Sequence, residues 1–187
     1  MVAPTADFNG CRAPELVYHL PSMNRTILPN EDLQTIWRPD VTVANIVPRD
    51  GKFLLVEEMV RGELVLNQPA GHLEPGESLP AAARREALEE TGWEIELSAL
   101  VGVYQWANPG ADSHFLRFTF AATPLRHDPT RKLDSGIVRA LWLTRDEIAA
   151  EKARLRSPMV LRCVDDWLGG KRLPLDAMVS LLAEAGM

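Results

Sequence analysis

The chain has 187 residues, 46% of them hydrophobic, and carries 20 Lys and Arg against 26 Asp and Glu for a formal net charge of −6. That length suits one domain with a sizeable core, and the acidic balance argues against a nucleic-acid polymer as partner, which calls for a basic face. The two cysteines, the lack of any apolar run of transmembrane length and the lack of a basic start followed by an apolar stretch argue against a disulfide scaffold, a membrane span and a secretory leader, so the cytoplasm is the expected compartment.

Residues 1–22 hold turn formers without a clear period, and residues 1–38 are expected to form an N-terminal extension: a tail, a misplaced start ahead of Met23, or an arm that packs on the domain or a partner. Residues 39–187 are expected to form a single domain. The β-branched run Val41–Val47, a turn at Arg49-Asp50-Gly51 and the run Phe53–Glu57 predict two strands joined as a hairpin. A short strand at Leu64–Leu66 leads into Asn67-Gln68-Pro69. Ser78 as N-cap, Pro80 in the first turn, the strong helix formers AAARREALEE and Gly92 as a left-handed stop predict a helix over Ser78–Thr91. Strands are predicted at Glu94–Leu97, Val101–Gln105, His114–Ala121 and Arg139–Leu143, with a loop at Asn108-Pro109-Gly110 and a polar, turn-rich stretch over Leu125–Gly136. Thr144 caps a short helix through Ala150, a second helix runs over Pro158–Leu168, and a last one is expected at Leu175–Ala185. Strands, helix, strands, helices is a mixed α/β order without the alternation of a doubly wound sheet.

The segment Gly71–Trp93, GHLEPGESLPAAARREALEETGW, is the most specific part of the chain. At about 100° per residue, Leu79, Ala82, Ala83 and Ala87 share one helix face. Glu86, Glu89 and Glu90 fall on that face or at its edge, whereas an ordinary amphipathic helix sets its acids opposite the apolar stripe. Arg84 and Arg85 point more outward. Three half-buried carboxylates repel one another and lose hydration, and Arg85 is not expected to neutralise all three. A hard cation with oxygen ligands relieves both costs, and Mg²⁺ suits carboxylates together with substrate phosphates. Glu77 is a fourth acid, set behind the Pro75-Gly76 turn.

Gly71, Glu77, Arg85, Glu86, Glu89, Glu90, Gly92 and Trp93 resemble the fixed positions of the Nudix box, Gly-x5-Glu-x7-Arg-Glu-U-x-Glu-Glu-x-Gly-U. Ala87 is smaller than is usual there, and Trp93 is aromatic at the last position. The resemblance implies a mixed sheet sandwiched between helices and hydrolysis of nucleoside diphosphate derivatives with Mg²⁺, or Mn²⁺ in its place. It implies Glu86 and Glu90 as metal ligands, Glu89 as ligand or water-activating base, Glu86 as an alternative base, and Arg85 as the residue that orients the glutamates. Glu77 is implied to support the loop and the metal site, and the Ala70 carbonyl to complete the coordination. VTVANIV, GKFLLVEE, LNQPAGHLE, YQW, FLRFTFAA and RLRSPMVLRCVDDWL are further similar to the bacterial NudJ-type phosphatases. That similarity implies nucleoside di- and triphosphates and thiamine-type pyrimidine pyrophosphates as substrates. A nucleoside diphosphate sugar, a dinucleoside polyphosphate, an oxidised nucleotide, or a domain that only binds its ligand are the alternatives. Relatives commonly dimerise, so a homodimer is expected.

Outside the box, Gln68, Trp106, Arg117, Arg156 and Ser157 are the candidate substrate contacts. Trp106 beside a Pro/Gly loop is a stacking surface or a core ring. Arg117 lies among Phe and Leu, either reaching a phosphate or covering apolar surface with its stem. Arg154, Arg156 and Ser157 precede a helix, where a basic cluster attracts phosphate. Asp134 and Ser135 contact substrate or cap a turn. His72 suits a loop hydrogen bond, and His114 and His127 lack zinc-ligand spacing.

Overall fold

The computed structural model describes residues 37–109 and 113–182. The expected extension through residue 36 and Gly110 of the expected loop lie outside them. Among these residues, eight strands form two sheets. Strands β1 (Asp40–Ile46), β5 (Ala70–His72), β6 (Trp93–Ala107) and β7 (His114–His127) make one sheet in the order β5-β1-β7-β6. Strand β1 runs parallel to β7 and antiparallel to β5. In the second sheet, β3 (Lys52–Val60) pairs with β2 (Pro48–Arg49), β4 (Glu63–Asn67) and β8 (Ile137–Thr144), all antiparallel. The helices are α1 (Leu79–Thr91), α2 (Arg145–Ala150) and α3 (Met159–Leu168).

Alternation along the strands divides the core between the two sides of the first sheet. Val43, Val47, Phe120 and Ala122 pack with Ala82, Ala83 and Ala87 of α1. Ile46, Ala121, Ala99 and Val101 pack with Ile148 of α2 and Val160, Cys163 and Val164 of α3. The mixed sheet between helices is therefore present, and period-2 strand geometry is what sorts the residues to its two faces.

Helix α1 has the ends its sequence predicts. Ser78 Oγ accepts from the Ala81 N–H at 3.3 Å, and Gly92, at φ 70°, donates its N–H to the Leu88 carbonyl at 3.0 Å. A Cβ on Gly92 would stand 2.7 Å from the Asp128 carbonyl oxygen, so glycine is needed there on both counts. Buried Asn45 of β1 ties this helix to the sheet, donating to the carbonyls of Ala83 at 2.8 Å and Pro69 at 3.3 Å. Thr144 and Glu147 form a reciprocal capping box that starts α2.

Four expectations need correction. The hairpin predicted for Val41–Val47 and Phe53–Glu57 shrinks to the two residues of β2 against β3, because β1 pairs in the first sheet and the chain passes to the second sheet only after Ile46. The two strands at Glu94–Leu97 and Val101–Gln105 are one strand, β6, which absorbs Ser98 and Val101 as register shifts against β7. Pairing with β6 also carries β7 through His127, into the stretch predicted to be turns. The last helix reduces to a 3-10 turn at Leu175–Ala177, with no helix over residues 178–182, and residues 183–185 lie outside the described ones.

Candidate active site

A cleft of about 980 Å³ is lined from both sheets and from α1. Arg85, Glu86, Glu89 and Glu90 of α1 face it, as do Ala70, Gly71 and His72 of β5, and Trp106, Arg117, Arg156 and Ser157 line it too. Nine of the eleven candidates named from the sequence therefore share one cavity; Gln68 and Glu77 do not line it.

The acids of α1 are unequal. Glu86 and Glu90 are buried, at 7% and 8% exposure, while Glu89 keeps 30% of its side chain exposed. Arg85 is not outward-pointing. Its guanidinium donates to Glu77 Oε1 at 2.7 Å and Oε2 at 3.1 Å, to Glu86 Oε1 at 2.7 Å, to Glu89 Oε2 at 3.1 Å and to the His72 carbonyl at 3.0 Å. One arginine thus binds three carboxylates, more than the sequence reading gave it. Glu77 spends both oxygens on Arg85 and also accepts from the Glu74 N–H at 2.7 Å, so it clamps the loop from outside the cleft. Arg85 holds the Glu77 carboxyl below the usual range; burial opposes it, and the Glu74 amide adds a smaller lowering effect.

Glu90 is the acid that Arg85 does not bind. Its Oε2 accepts from the Ala70 N–H at 2.8 Å. Burial first pushes its carboxyl up to about 9; the Ala70 hydrogen bond opposes this, and the charges of Glu86, Glu58 and Asp134 add to it. Burial likewise raises the Glu86 carboxyl, against the pull of Arg85. Gly71 lets Glu86 lie flat against the strand: a Cβ there would come within 2.1–2.3 Å of the Glu86 carboxylate atoms.

These residues fit a hard divalent cation by chemistry. They offer buried carboxylate oxygens whose ionised form is costly and is relieved by positive charge. The site is not preformed: among the described residues, no three acidic, imidazole or thiol groups already converge on one point. Proton and cation compete for the same oxygens. Both folded-state values lie above the ordinary 4.5, so the stability is fully present below that value and is lost as pH rises toward about 9. The cation-free protein is accordingly expected to lose thermal stability steadily between pH 5 and pH 9, and added Mg²⁺ to restore more of it at the alkaline end. Melting curves with chelator and with Mg²⁺ across that range check this; a flat profile would contradict it.

Arg117 lines the same cleft as the acids, is 5% exposed and has no carboxylate hydrogen-bonded to it among the described residues. It donates to the Gln68 amide oxygen Oε1 at 3.2 Å and, at the limit of hydrogen bonding, to Asn67 Oδ1 at 3.5 Å. Gln68 in turn donates to the Val160 carbonyl at 2.6 Å. Gln68 is therefore corrected from a cleft-facing residue to one that positions Arg117 from behind. Arg154 is likewise spent elsewhere, on Glu57 at 2.6 Å and Glu151 at 3.1 Å. Trp106 stacks on Phe115 with ring centroids 5.7 Å apart and 19° between planes, and both rings line the cleft. Asp134 lines it as well, and its N–H donates to the Glu89 carbonyl at 3.1 Å; Ser135 does not line it.

Thr42, Glu58 and Asn67 also line the cleft and were not found from the sequence. Strand alternation was the available signal, since Glu58 shares its face with Leu54 and Val56. Among the described residues, Thr42 Oγ1, Asn45 Oδ1, Glu58 Oε1, Arg117 Nε and Ser157 Oγ are buried without a hydrogen-bond partner. Natural folds rarely leave such groups unpaired, and all of these but Asn45 belong to residues lining the cleft.

Comparison with known proteins agrees with this picture. The family model described as NUDIX domain matches residues 37–163. Phosphatase NudJ of Escherichia coli K12 is 41% identical over 141 residues, covering 75% of this chain and 91% of that protein; the Shigella flexneri protein of the same name gives the same values. A solved NUDIX hydrolase from Nitrosomonas europaea is 50% identical, covers 76% of this chain and 97% of its own, and superposes with a TM-score of 0.75. A UDP-X diphosphatase structure, at 20% identity and a TM-score of 0.59, shares the fold, covering 79% of this chain and 74% of its own. No helix among the described residues is long and apolar enough to cross a membrane.

Proposed function

The chain belongs to the Nudix family of hydrolases acting on phosphoric anhydrides, and within that family we propose that it is a Mg²⁺-dependent phosphatase of nucleoside di- and triphosphates and thiamine-type pyrimidine pyrophosphates, with Mn²⁺ able to replace Mg²⁺. The observation that carries this reading is the pair of buried carboxylates, Glu86 and Glu90, lining one cleft with buried Arg117, which is hydrogen-bonded only to amide oxygens among the described residues. The similarity to phosphatase NudJ supports a phosphatase activity.

Glu86, Glu89 and Glu90, with the Ala70 carbonyl beside them, would hold the cation. When bound, it withdraws charge from phosphorus and lowers the pKa of a water molecule. Arg85 restrains Glu86 and Glu89 through hydrogen bonds of 2.7 and 3.1 Å, which narrows the rotamers their carboxylates sample before a cation draws them together. Glu89 is the base this geometry favours. It is the most solvent-accessible of the three, and only its Oε2 is engaged by Arg85, which leaves Oε1 to accept the proton of the attacking water. Burial lowers the pKa of the Arg117 guanidinium, and the nearby charges of Glu58 and Glu90 work against that; Gln68 and Asn67 offer it only neutral amide oxygens, which leaves it to meet a phosphate in the cleft. The Trp106–Phe115 stack gives a planar wall for a heterocycle. Arg156 and Ser157 complete the substrate contacts.

The cytoplasm is the proposed compartment, consistent with free, buried Cys163. A homodimer is the expected assembly on the resemblance alone. A release assay over nucleoside di- and triphosphates, thiamine pyrophosphate and hydroxymethylpyrimidine pyrophosphate, with Mg²⁺, Mn²⁺ or chelator, tests the whole reading. Inorganic phosphate is the expected product, and chelator should abolish it. Release of pyrophosphate alone, or activity confined to sugar- or dinucleoside-linked substrates, would replace the substrate assignment.

A further inference from the structure

The cleft does not stop at Ser157. A second chamber of about 520 Å³ shares Trp106, Asn108, Leu155, Arg156 and Ser157 with it and continues along the start of α3. The charges on its walls are unevenly committed. Asp165 is held by Arg145 through hydrogen bonds of 2.9 and 3.3 Å, and Arg162 is paired with Asp166 at 3.0 Å. Lys152 is exposed on the same wall. Arg156 has Glu58 3.6 Å from its Nε, an ion pair too long for a hydrogen bond, and 44% of its side chain is exposed.

The helix that starts here is open at its positive end. Helix α3 runs ten residues from a Pro158 N-cap, with no side-chain cap and no acid in its first turn. Directly ahead of it is Ser157, 6% exposed, whose Oγ has no hydrogen-bond partner and whose residue belongs to the walls of both cavities. A buried hydroxyl left without a partner beside an uncapped helix start and two lysine or arginine side chains is an arrangement that an anion completes.

We propose that this second chamber is an anion subsite that seats a phosphate group of the substrate remote from the anhydride being cut. The inference rests on the reading of the main cleft as the hydrolytic site and deepens it. Among the substrates already proposed, it separates nucleoside triphosphates, which carry a phosphate beyond the anhydride being cut, from diphosphates, which do not. The shared walls favour a group belonging to the substrate over a separate regulatory ion.

Two measurements on the full chain test this. Inorganic phosphate, titrated by calorimetry in chelator so that the acids of α1 contribute only repulsion, should bind the unaltered protein. It should bind Lys152→Glu and Ser157→Ala about tenfold more weakly. In steady-state assays with Mg²⁺, Lys152→Glu should raise KM for a nucleoside triphosphate about tenfold and much less for the matching diphosphate, with kcat little changed. Phosphate should inhibit triphosphate hydrolysis competitively. Undiminished phosphate binding by both variants, or an equal rise in KM for the two nucleotides, would overturn the subsite. Non-competitive inhibition by phosphate would overturn its assignment to the substrate and make it a regulatory site. If the unaltered protein cleaves neither nucleotide, the hydrolytic reading fails by itself, while the calorimetry still decides whether the chamber holds an anion.

Discussion

Glu90→Gln will lower kcat on the order of a thousandfold, about 4 kcal/mol of lost transition-state stabilisation, and leave the cation-free protein as heat-stable as before or more so. Both halves follow from the position of one side chain. Glu90 is 8% exposed, is not bound by Arg85 and has its carboxyl pushed up to about 9, chiefly by burial. Glutamine has the same shape, and its amide oxygen can still accept from the Ala70 N–H that Glu90 Oε2 meets at 2.8 Å. The substitution removes a charge that the fold accommodates at a cost, so the fold does not suffer for it. It also removes an anionic oxygen that a divalent cation requires, and neutral amides are poor replacements beside phosphate. The stabilisation by added Mg²⁺ should shrink in parallel. Initial rates and melting curves with and without Mg²⁺ decide the matter. Near-normal turnover with intact Mg²⁺ stabilisation would remove Glu90 from the cation site.

Gly71→Ala should be the second most damaging single change to turnover, about a hundredfold, through a methyl group that adds no charge. The new Cβ would stand 2.1 Å from Glu86 Oε1 and 2.3 Å from Oε2. Such distances cannot persist, and the carboxylate is the mobile end of a side chain while Gly71 is paired with Val43 in the sheet. The carboxylate therefore swings away and the strand stays. Its movement also takes Oε1 from the Arg85 NH1 group, now 2.7 Å distant, so the arginine that orders Glu89 loses one of its anchors. A modest change in Tm with a large loss of kcat is the expected result. Unchanged kcat would show that Glu86 works from another rotamer, and a collapsed Tm would show that the strand, not the side chain, yields.

The parts legible from the sequence were those fixed by neighbours in the chain. Helix α1, its Ser78 and Gly92 ends and the common face of Glu86 and Glu90 follow from spacing and caps alone. The reach of Arg85 did not follow, because His72 and Glu77 come to it by the turn of a loop rather than by helical periodicity. The place of Gln68 in a motif gives proximity to the cleft and not direction; the Val160 carbonyl turns it away. Glu58 was within reach of strand alternation, but a charged residue following LLVE reads as a solvated strand end until the cleft is seen above it. The partners of β1 are set by residues far along the chain, which no local pattern of Val41–Val47 encodes.

That last pairing bears on how the chain is made. Asp40 through Ile46 find their parallel neighbours only at Phe115 through Ala121. During synthesis the whole glutamate-bearing helix leaves the ribosome while β1 still shows one unpaired edge to every other nascent chain nearby. Loops of this length close slowly, and a bare Val- and Ile-rich edge is the kind that sticks to its own copies. The delay between translating those two strands is therefore the interval in which this protein most needs a chaperone.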